Sequence, residues 1–226
     1  MPIKTSQTFI SGTNTHNITI YSNPPDSKKY PVVFLLHGNF GLVSPYGDQI
    51  QNFANDLANL GYITAVPHYY LDNKSHLDDT VPKVQILADA IATVVNRAEV
   101  DPNRIGLVGF SLGATTAMSY ISSTSSIGLK VLADFFGFTT STIQAGISRF
   151  PPTIIFHNVN DRIVSVQNSE KIEQLLASNK IDHQLVTYDE KWQEVNHAFQ
   201  PGKFADVDSR TQTVDWLAKH LPPTGN

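Results

Sequence analysis

Short hydrophobic runs alternate with segments of helical periodicity along most of this chain. The runs are apolar at nearly every position, which is typical of strands buried on both faces of a sheet. They cover residues 32–36, 62–66, 105–108, 131–136 and 153–156. Apolar residues at helical spacing predict the intervening helices. These helices span residues 46–60, 81–98, 114–120, 169–178 and 205–221.

Other segments carry weaker patterns. Residues 7–10 and 17–21 alternate between apolar and polar side chains, which predicts two half-exposed strands joined by a turn at Ser11 and Gly12. Residues 183–188 alternate in the same way and form the last predicted strand. Three further stretches have no regular pattern. They are predicted to be a polar loop at residues 68–80, an irregular or short helical segment at residues 139–150 and a long loop at residues 191–203.

Strands and helices alternate from residue 31 onward, so the fold class is α/β. Such alternation predicts a mostly parallel sheet with helices on both faces. Neither a repeat nor a linker interrupts the pattern, and we expect one domain over residues 1–226. Functional sites in sheets of this kind lie at the carboxyl ends of the strands.

Composition narrows the range of functions. The net charge of −4, without a basic run, argues against nucleic-acid binding, and no apolar stretch approaches the length of a membrane span. The polar start favours a cytoplasmic location, while a mature secreted form stays open. Monomer and homodimer are both open. The chain has no cysteine, which excludes disulfides, thiolate zinc sites and a cysteine nucleophile.

The most informative motif is G-x-S-x-G, which runs from Gly109 to Gly113 with Ser111 at its centre. In this motif the serine occupies a sharp strand-to-helix turn that exposes its hydroxyl above the sheet. The flanking predictions, a strand before and a helix after, are the context that the motif requires. Ser111 is therefore the predicted nucleophile.

A serine hydroxyl needs a base, and the base needs an orienting acid. Asp161 follows a predicted strand downstream of Ser111 and is the expected acid. Asp134, inside an apolar run, and Asp189, close to the end of the last strand, are weaker alternatives. His197 lies in the loop before the last helix, where a loop could bring its imidazole over the serine, and is the expected base.

Two further features complete the expected site. The N–H of Leu112 opens a helix and would face a developing oxyanion, and a second N–H should come from Asn39, with Phe40 as the runner-up. His37 and His157 come too early in the chain to be the base, so we interpret them as structural or as lining the pocket.

These motifs together resemble the dienelactone hydrolase family of α/β-hydrolases. The resemblance covers roughly residues 30–220 and implies an α/β-hydrolase fold and the Ser, Asp, His order along the chain. It is carried by the segments Leu36-His37-Gly38-Asn39-Phe40-Gly41, Leu57-Ala58-Asn59-Leu60-Gly61-Tyr62, Ala65-Val66-Pro67, Gly109-Phe110-Ser111-Leu112-Gly113-Ala114, Phe135-Phe136-Gly137, Phe156-His157-Asn158 and His197-Ala198-Phe199.

Several positions depart from the family pattern. The founding members have a cysteine nucleophile and a glutamate that controls it, where this chain has Ser111 and Gly38. Two arginines hold the substrate carboxylate in those enzymes, and the corresponding positions here are Asp72 and Pro201. An aspartate would repel an anion. The resemblance therefore implies the fold and the triad but not the dienelactone substrate.

The sequence thus predicts a serine hydrolase that cleaves small esters or lactones without a metal or other cofactor. A serine peptidase or amidase is an alternative, and a non-catalytic ligand binder on the same fold is another. Aromatic residues near the predicted strand ends would line the pocket and favour a neutral or aromatic ester: Phe40, Tyr69, Tyr70, Phe110 and Phe138.

Overall fold

The structure is a computed structural model that describes residues 1–23, 26–69, 83–124 and 128–224. In these ranges eight strands form one sheet in the order β1-β2-β4-β3-β5-β6-β7-β8. The strands are β1 (Ile3–Ser11), β2 (Asn14–Ser22), β3 (Tyr30–Leu36), β4 (Ile63–Pro67), β5 (Val100–Phe110), β6 (Leu129–Phe135), β7 (Thr153–Asn158) and β8 (His183–Tyr188).

Strands β3 to β8 are parallel to one another, and β2 pairs antiparallel with both β1 and β4. The predicted α/β class and mostly parallel sheet are confirmed. The crossovers contain helices, as parallel neighbours require. These are α1 (Tyr46–Asn59), α2 (Lys83–Val95), α3 (Leu112–Ser123), α4 (Ser141–Ala145), α5 (Gln167–Ser178) and α6 (Phe204–His220), and a 3₁₀ turn spans Ile147–Arg149.

The helices cover both faces of the sheet and create two cores. On one face, α1 and α6 bury residues such as Leu57 and Leu217 against Val33, Leu35 and Val108. On the other face, α2, α3 and α5 pack against alternate residues of the same strands. A strand between two apolar layers must be apolar throughout, which explains the continuous runs in the sequence. None of the helices in the described part of the chain is long and apolar enough to cross a membrane.

The prediction of two half-exposed strands near the N-terminus is wrong for the second strand. Residues 18–21 are all buried, and Ile20 belongs to one core while Tyr21 belongs to the other. The reason is topological, because β2 lies inside the sheet between β1 and β4 and is covered on both faces. Of these two strands, only β1, at the edge of the sheet, keeps a largely exposed face.

The fold brings several chain segments to one edge of the sheet. Ser111 follows β5 directly, Asp161 lies three residues beyond β7, and His197 lies in the loop between β8 and α6. The loop after β3 begins at His37 and reaches the same edge. This is the edge at which α/β proteins place their sites.

Candidate active site

Ser111 lies at a tight turn between β5 and α3. Its backbone angles are φ 53° and ψ −118°, which lie in a region that residues other than glycine rarely occupy. The Ser111 N–H donates to the Phe135 carbonyl at 2.8 Å, which ties the turn to β6. Such strain is stored at functional sites because it fixes a side chain in an exposed position.

The two glycines of the motif make this turn possible. A Cβ atom at Gly113 would lie 2.1 Å from the Leu36 carbonyl oxygen, and one at Gly109 would lie 2.4 Å from the Ala114 Cα. Both distances are far below van der Waals contact. Glycine at these positions therefore lets α3 begin against the ends of β3 and β5, with Ser111 held at the junction.

His197 connects Ser111 to Asp161. The Ser111 hydroxyl donates to His197 Nε2 at 2.8 Å, and His197 Nδ1–H donates to Asp161 Oδ2 at 2.7 Å. This direction of donation follows from the carboxylate, which can only accept and so places the imidazole proton on Nδ1. The structure brings together the three side chains that the sequence singled out. Their catalytic roles stay predictions.

Asp161 is buried and well supplied with hydrogen bonds. Its Oδ1 accepts from the Ile163 and Val164 amides at 2.8 and 2.9 Å, and its Oδ2 lies 3.3 Å from His157 Nε2. Burial alone would raise the pKa of this carboxyl, but the adjacent His157 and His197 rings and the Val164 amide hold its pKa well below the usual range. Asp161 is therefore ionised at neutral pH.

The two other histidines at strand ends have structural contacts. His157 is fully buried, accepts from the Ser169 hydroxyl at 2.7 Å and donates from Nε2 to the Val164 carbonyl at 2.8 Å. His37 donates from Nδ1 to the Gly38 carbonyl, and its Nε2 accepts from the Tyr69 amide. Burial lowers the pKa of His37 to about 4, so this ring is neutral at neutral pH.

The two alternative acids do not contact His197. Asp134 is fully buried near the end of β6, where its Oδ1 accepts from the Gly137 amide at 2.8 Å. Burial raises the pKa of Asp134 to about 6. Asp189 is 70% exposed and interacts with Asn160 and Lys191 at the surface.

Sequence reasoning missed the residues that hold the loop of His197. The Asn158 side chain donates to the carbonyl oxygens of Glu190 and Asn196 at 2.9 and 3.2 Å, and it accepts from the Glu190 amide at 3.2 Å. Asn196 has φ 48°, and its side chain accepts from the Trp192 amide at 3.0 Å. Asparagine tolerates this left-handed conformation. The position of Asn196 immediately before His197 is the one feature of the sequence that could have indicated this role.

The loop after β3 passes close to the nucleophile. A Cβ atom at Gly38 would lie 3.3 Å from Ser111 Cβ, so a larger residue would crowd the serine. Asn39 follows this glycine and lines the cleft, while Leu112 is the first residue of α3. The two residues expected to supply the oxyanion hole thus lie near Ser111, one in the loop after β3 and one at the start of α3, and their role stays a prediction.

A cleft of about 400 Å³ opens beside Ser111. Phe40 and Phe110 line it, as expected. The expectation is wrong for Tyr69, which is fully buried against the His37 ring, and for Phe138, whose amide and carbonyl both bond to the Thr115 hydroxyl. Neither residue is among the described residues that line the cleft. Tyr69 packs instead on the ring of His37, and the backbone of Phe138 is held by Thr115.

Two further predictions lie outside the described residues. Tyr70 is predicted to line the pocket, and Asp72 is predicted to repel an anionic substrate. Across the ranges that the structure describes, no group of three or more His, Asp or Glu side chains is arranged to hold a metal ion.

The comparisons with known proteins concern the family and the fold of this chain. The model of the dienelactone hydrolase family matches residues 18–220. A provisionally assigned carboxymethylenebutenolidase of Synechocystis is 24% identical over 213 residues, which are 82% of this chain and 84% of that protein.

Two solved structures illustrate the shared fold. A provisionally assigned dienelactone hydrolase from Klebsiella pneumoniae superposes with a TM-score of 0.78 at 17% identity, over 97% of this chain and all of the other. An acylaminoacyl peptidase of Pyrococcus horikoshii superposes with a TM-score of 0.78 at 13% identity, over the whole of this chain but 43% of the peptidase.

Proposed function

Because this chain belongs to the dienelactone hydrolase family of α/β-hydrolases, we propose that it is a serine hydrolase that cleaves carboxylic esters or lactones through an acyl-serine intermediate. The observation that carries the proposal is the continuous hydrogen-bonded chain from the Ser111 hydroxyl through His197 to Asp161. A nucleophile, a base and an orienting acid in this arrangement are what acyl transfer to a serine requires.

The first step is attack on the substrate carbonyl. His197 Nε2 takes the proton of Ser111 as Oγ bonds to the carbonyl carbon, and the resulting imidazolium is stabilised by the carboxylate of Asp161. The negative oxygen of the tetrahedral intermediate is held by the amides of Leu112 and Asn39. Collapse expels the alkoxide, which receives the proton from His197 Nε2 and leaves as an alcohol.

The second step frees the enzyme. Water enters beside His197, which takes one of its protons while the oxygen attacks the acyl carbon. A second tetrahedral intermediate forms in the same oxyanion hole, and its collapse returns the proton to Ser111 Oγ and releases the acid. Every proton thus moves through one nitrogen, which is why the low pKa of Asp161 matters: the carboxylate remains charged when the imidazolium forms.

Amide or peptide hydrolysis is the second candidate, and the superposition with an acylaminoacyl peptidase favours it. The same triad can cleave amides. This chain, however, corresponds to less than half of the peptidase, so the whole protein's activity does not carry over. A non-catalytic binder remains the third alternative, although it would leave the hydrogen-bonded triad without a purpose.

The test compares the wild-type protein with Ser111→Ala on p-nitrophenyl acetate, dihydrocoumarin (an aromatic lactone) and alanine p-nitroanilide. We expect turnover of the ester or the lactone that falls at least about 10³-fold in the variant, since the variant lacks the nucleophile. Preferential cleavage of the anilide would favour the peptidase, and equal activity of both proteins would contradict the proposal.

A further inference from the structure

The cleft beside Ser111 has an apolar floor. Ile50 and Phe53 on α1 face Phe135, Phe136 and Phe199 across it, and each of these five side chains is at most 5% exposed. Phe136 also meets the His197 ring edge-on at 5.1 Å. A floor made of buried aromatic and aliphatic carbon offers a substrate contacts that strengthen with each apolar atom placed in it.

The mouth of the cleft is apolar as well. Phe40, in the loop after β3, is 72% exposed, and Ile163, in the loop after β7, is 61% exposed. Both residues line the cleft from loops on different strands. Single exposed apolar residues are common, but two of them at the mouth of one apolar cleft extend its surface toward solvent and are typical of a binding site.

Among the described residues that line the cleft, an arginine and an aspartate neutralise each other. Arg210 and Asp206 on α6 both line it, and Arg210 Nη2 donates to Asp206 Oδ2 at 3.1 Å. The same carboxylate oxygen accepts from the Gly202 amide at 2.7 Å, and Arg210 Nε donates to the Asp206 carbonyl. A substrate carboxylate would compete with Asp206 for the guanidinium and would lose hydration against the apolar floor.

We propose that this cleft selects uncharged esters that carry a hydrophobic group, aliphatic or aromatic, of a size that its volume of about 400 Å³ can hold. The inference rests on the proposed function, because it names the substrate class for the same serine. The proposed substrate carries no carboxylate. For a carboxylate-bearing substrate, an arginine without an acidic partner would be expected in the cleft.

The first experiment measures kcat/KM on two ester series. One series lengthens the acyl chain of p-nitrophenyl esters from acetate to hexanoate, and the other lengthens the alcohol of alkyl acetates from ethyl to hexyl. In the series whose variable group enters the cleft, we expect a gain of roughly fourfold per methylene until the cleft is filled. The arm that responds shows which side of the ester the cleft holds, and a flat profile in both arms would overturn the proposal.

The second experiment isolates charge. p-Nitrophenyl butyrate and mono-p-nitrophenyl succinate have acyl chains of equal length, but the succinate ends in a carboxylate. We expect kcat/KM for the succinate to be at least about tenfold lower. A preference for the succinate that disappears in Arg210→Gln would show that Arg210 binds an anion, and it would overturn the proposal.

A pair of variants locates the effect at the mouth of the cleft. Ile163→Ser should lower the ratio of hexanoate to acetate turnover severalfold, because a side chain lining the cleft loses its apolar surface. Val159→Ser is the matched control: Val159 is 46% exposed in the same loop but lines a neighbouring surface depression and not the cleft. Its ratio should equal that of the wild type. An unchanged ratio in Ile163→Ser would count against this location.

Failure of the inference and failure of the proposed function can be told apart by calorimetry with two ligands that are not hydrolysed, acetophenone and benzoate. Tighter binding of the neutral ketone without any ester turnover would retain the inference about the cleft and reject the serine hydrolase. Turnover of p-nitrophenyl acetate with equal or weaker ketone binding would retain the hydrolase and reject the inference.

Discussion

Asp161 and Asp134 are two buried aspartates near the ends of neighbouring strands, and their environments differ in almost every respect. Asp161 accepts hydrogen bonds from the Ile163 and Val164 amides and from His197, with His157 at 3.3 Å. Asp134 accepts from the Gly137 amide through Oδ1, and among the described residues its Oδ2 has no partner. The pKa of Asp161 lies below the usual range, while burial raises that of Asp134 to about 6.

The difference comes from the backbone that surrounds each residue. Asp134 lies inside β6, which pairs with strands on both sides, so the nearby amides are used in the sheet. Asp161 lies in the loop after β7, where the chain turns and leaves the amides of residues 163 and 164 to point at its carboxylate. Both residues are aspartates and both are buried, although Asp134 lies deeper than Asp161. Local geometry decides which carboxylate can stay charged beside an imidazole.

The largest expected effect separates the two aspartates by activity. Asp161→Asn should lower kcat on a good ester substrate about 10³- to 10⁴-fold, because an amide no longer holds the His197 tautomer or stabilises the imidazolium. Asp134→Asn should change kcat less than about threefold, because Asp134 does not contact His197. A loss in Asp134→Asn as large as that in Asp161→Asn would contradict the assignment of the acid.

The next effect separates them by stability. The raised pKa of Asp134 means that the folded state holds this proton more tightly than the unfolded chain does. The resulting stabilisation is complete below pH 4 and is lost as the pH rises through about 6. Asp134→Asn removes this dependence, so its stability relative to the wild type should increase by about 2 kcal/mol between pH 4 and pH 7.5.

Urea unfolding of both proteins at several pH values measures this difference directly, and Asp215→Asn, at an exposed position of α6, serves as a surface control. His37 titrates in part of the same range with the opposite sign, since its pKa is lowered to about 4. It contributes equally to both proteins and cancels in the comparison. A difference between wild type and Asp134→Asn that does not vary with pH would show that Asp134 is not a buried titrating group.

A third prediction concerns the support of the Asp161–His197 pair. Asn158→Ala removes the side chain that joins β7 to Glu190 and to the carbonyl before His197. The imidazole then loses its fixed position, and we expect kcat to fall roughly 10²-fold with little change in KM. Asn160→Ala is the control in the same loop, because among the described residues the Asn160 side chain bonds to Asp189 and the Glu190 carbonyl and not to the carbonyl before His197. Equal losses in both variants would contradict the specific role of Asn158.

The smallest effect tests the contact between His157 and its neighbour on α5. Ser169→Ala leaves His157 Nδ1 buried without its hydrogen-bond donor, which should cost about 1–2 kcal/mol of unfolding free energy. Activity should fall less than about tenfold, because Asp161 keeps its amide partners and His197. A thermal melt and a kcat measurement on the same sample check both parts. A fall in kcat of more than about tenfold would contradict this prediction and would give His157 a role in the reaction.

Much of the fold could be predicted because buried parallel strands consist of continuous runs of apolar residues. The strand at residues 183–188 was predicted with the bounds that the structure has, and the turn at Ser111 followed from the glycines around it. The burial of β2 could not be predicted, since it depends on β4 pairing with it from a distant part of the chain. The pattern of polar and apolar residues along a strand does not show which strands pair with that strand in the sheet.

The site divides in the same way. Ser111, Asp161 and His197 could be singled out because their order along the chain reflects the topology of the sheet. The pocket was predicted less well: Tyr69 turns away from the cleft, while Ile50 and Phe53 line it from α1. Asn158 was missed because its function is a set of contacts to carbonyl groups that come together only in three dimensions.

The most direct test of the central claim, that Ser111 is a nucleophile activated by His197 and Asp161, is the intact mass of the protein after reaction with a fluorophosphonate. We expect one adduct on the wild type, mapped by peptide analysis to Ser111, no adduct on Ser111→Ala, and strongly slowed labelling of His197→Ala. Labelling of Ser111→Ala at the wild-type rate, or a wild-type adduct on another residue, would contradict the account.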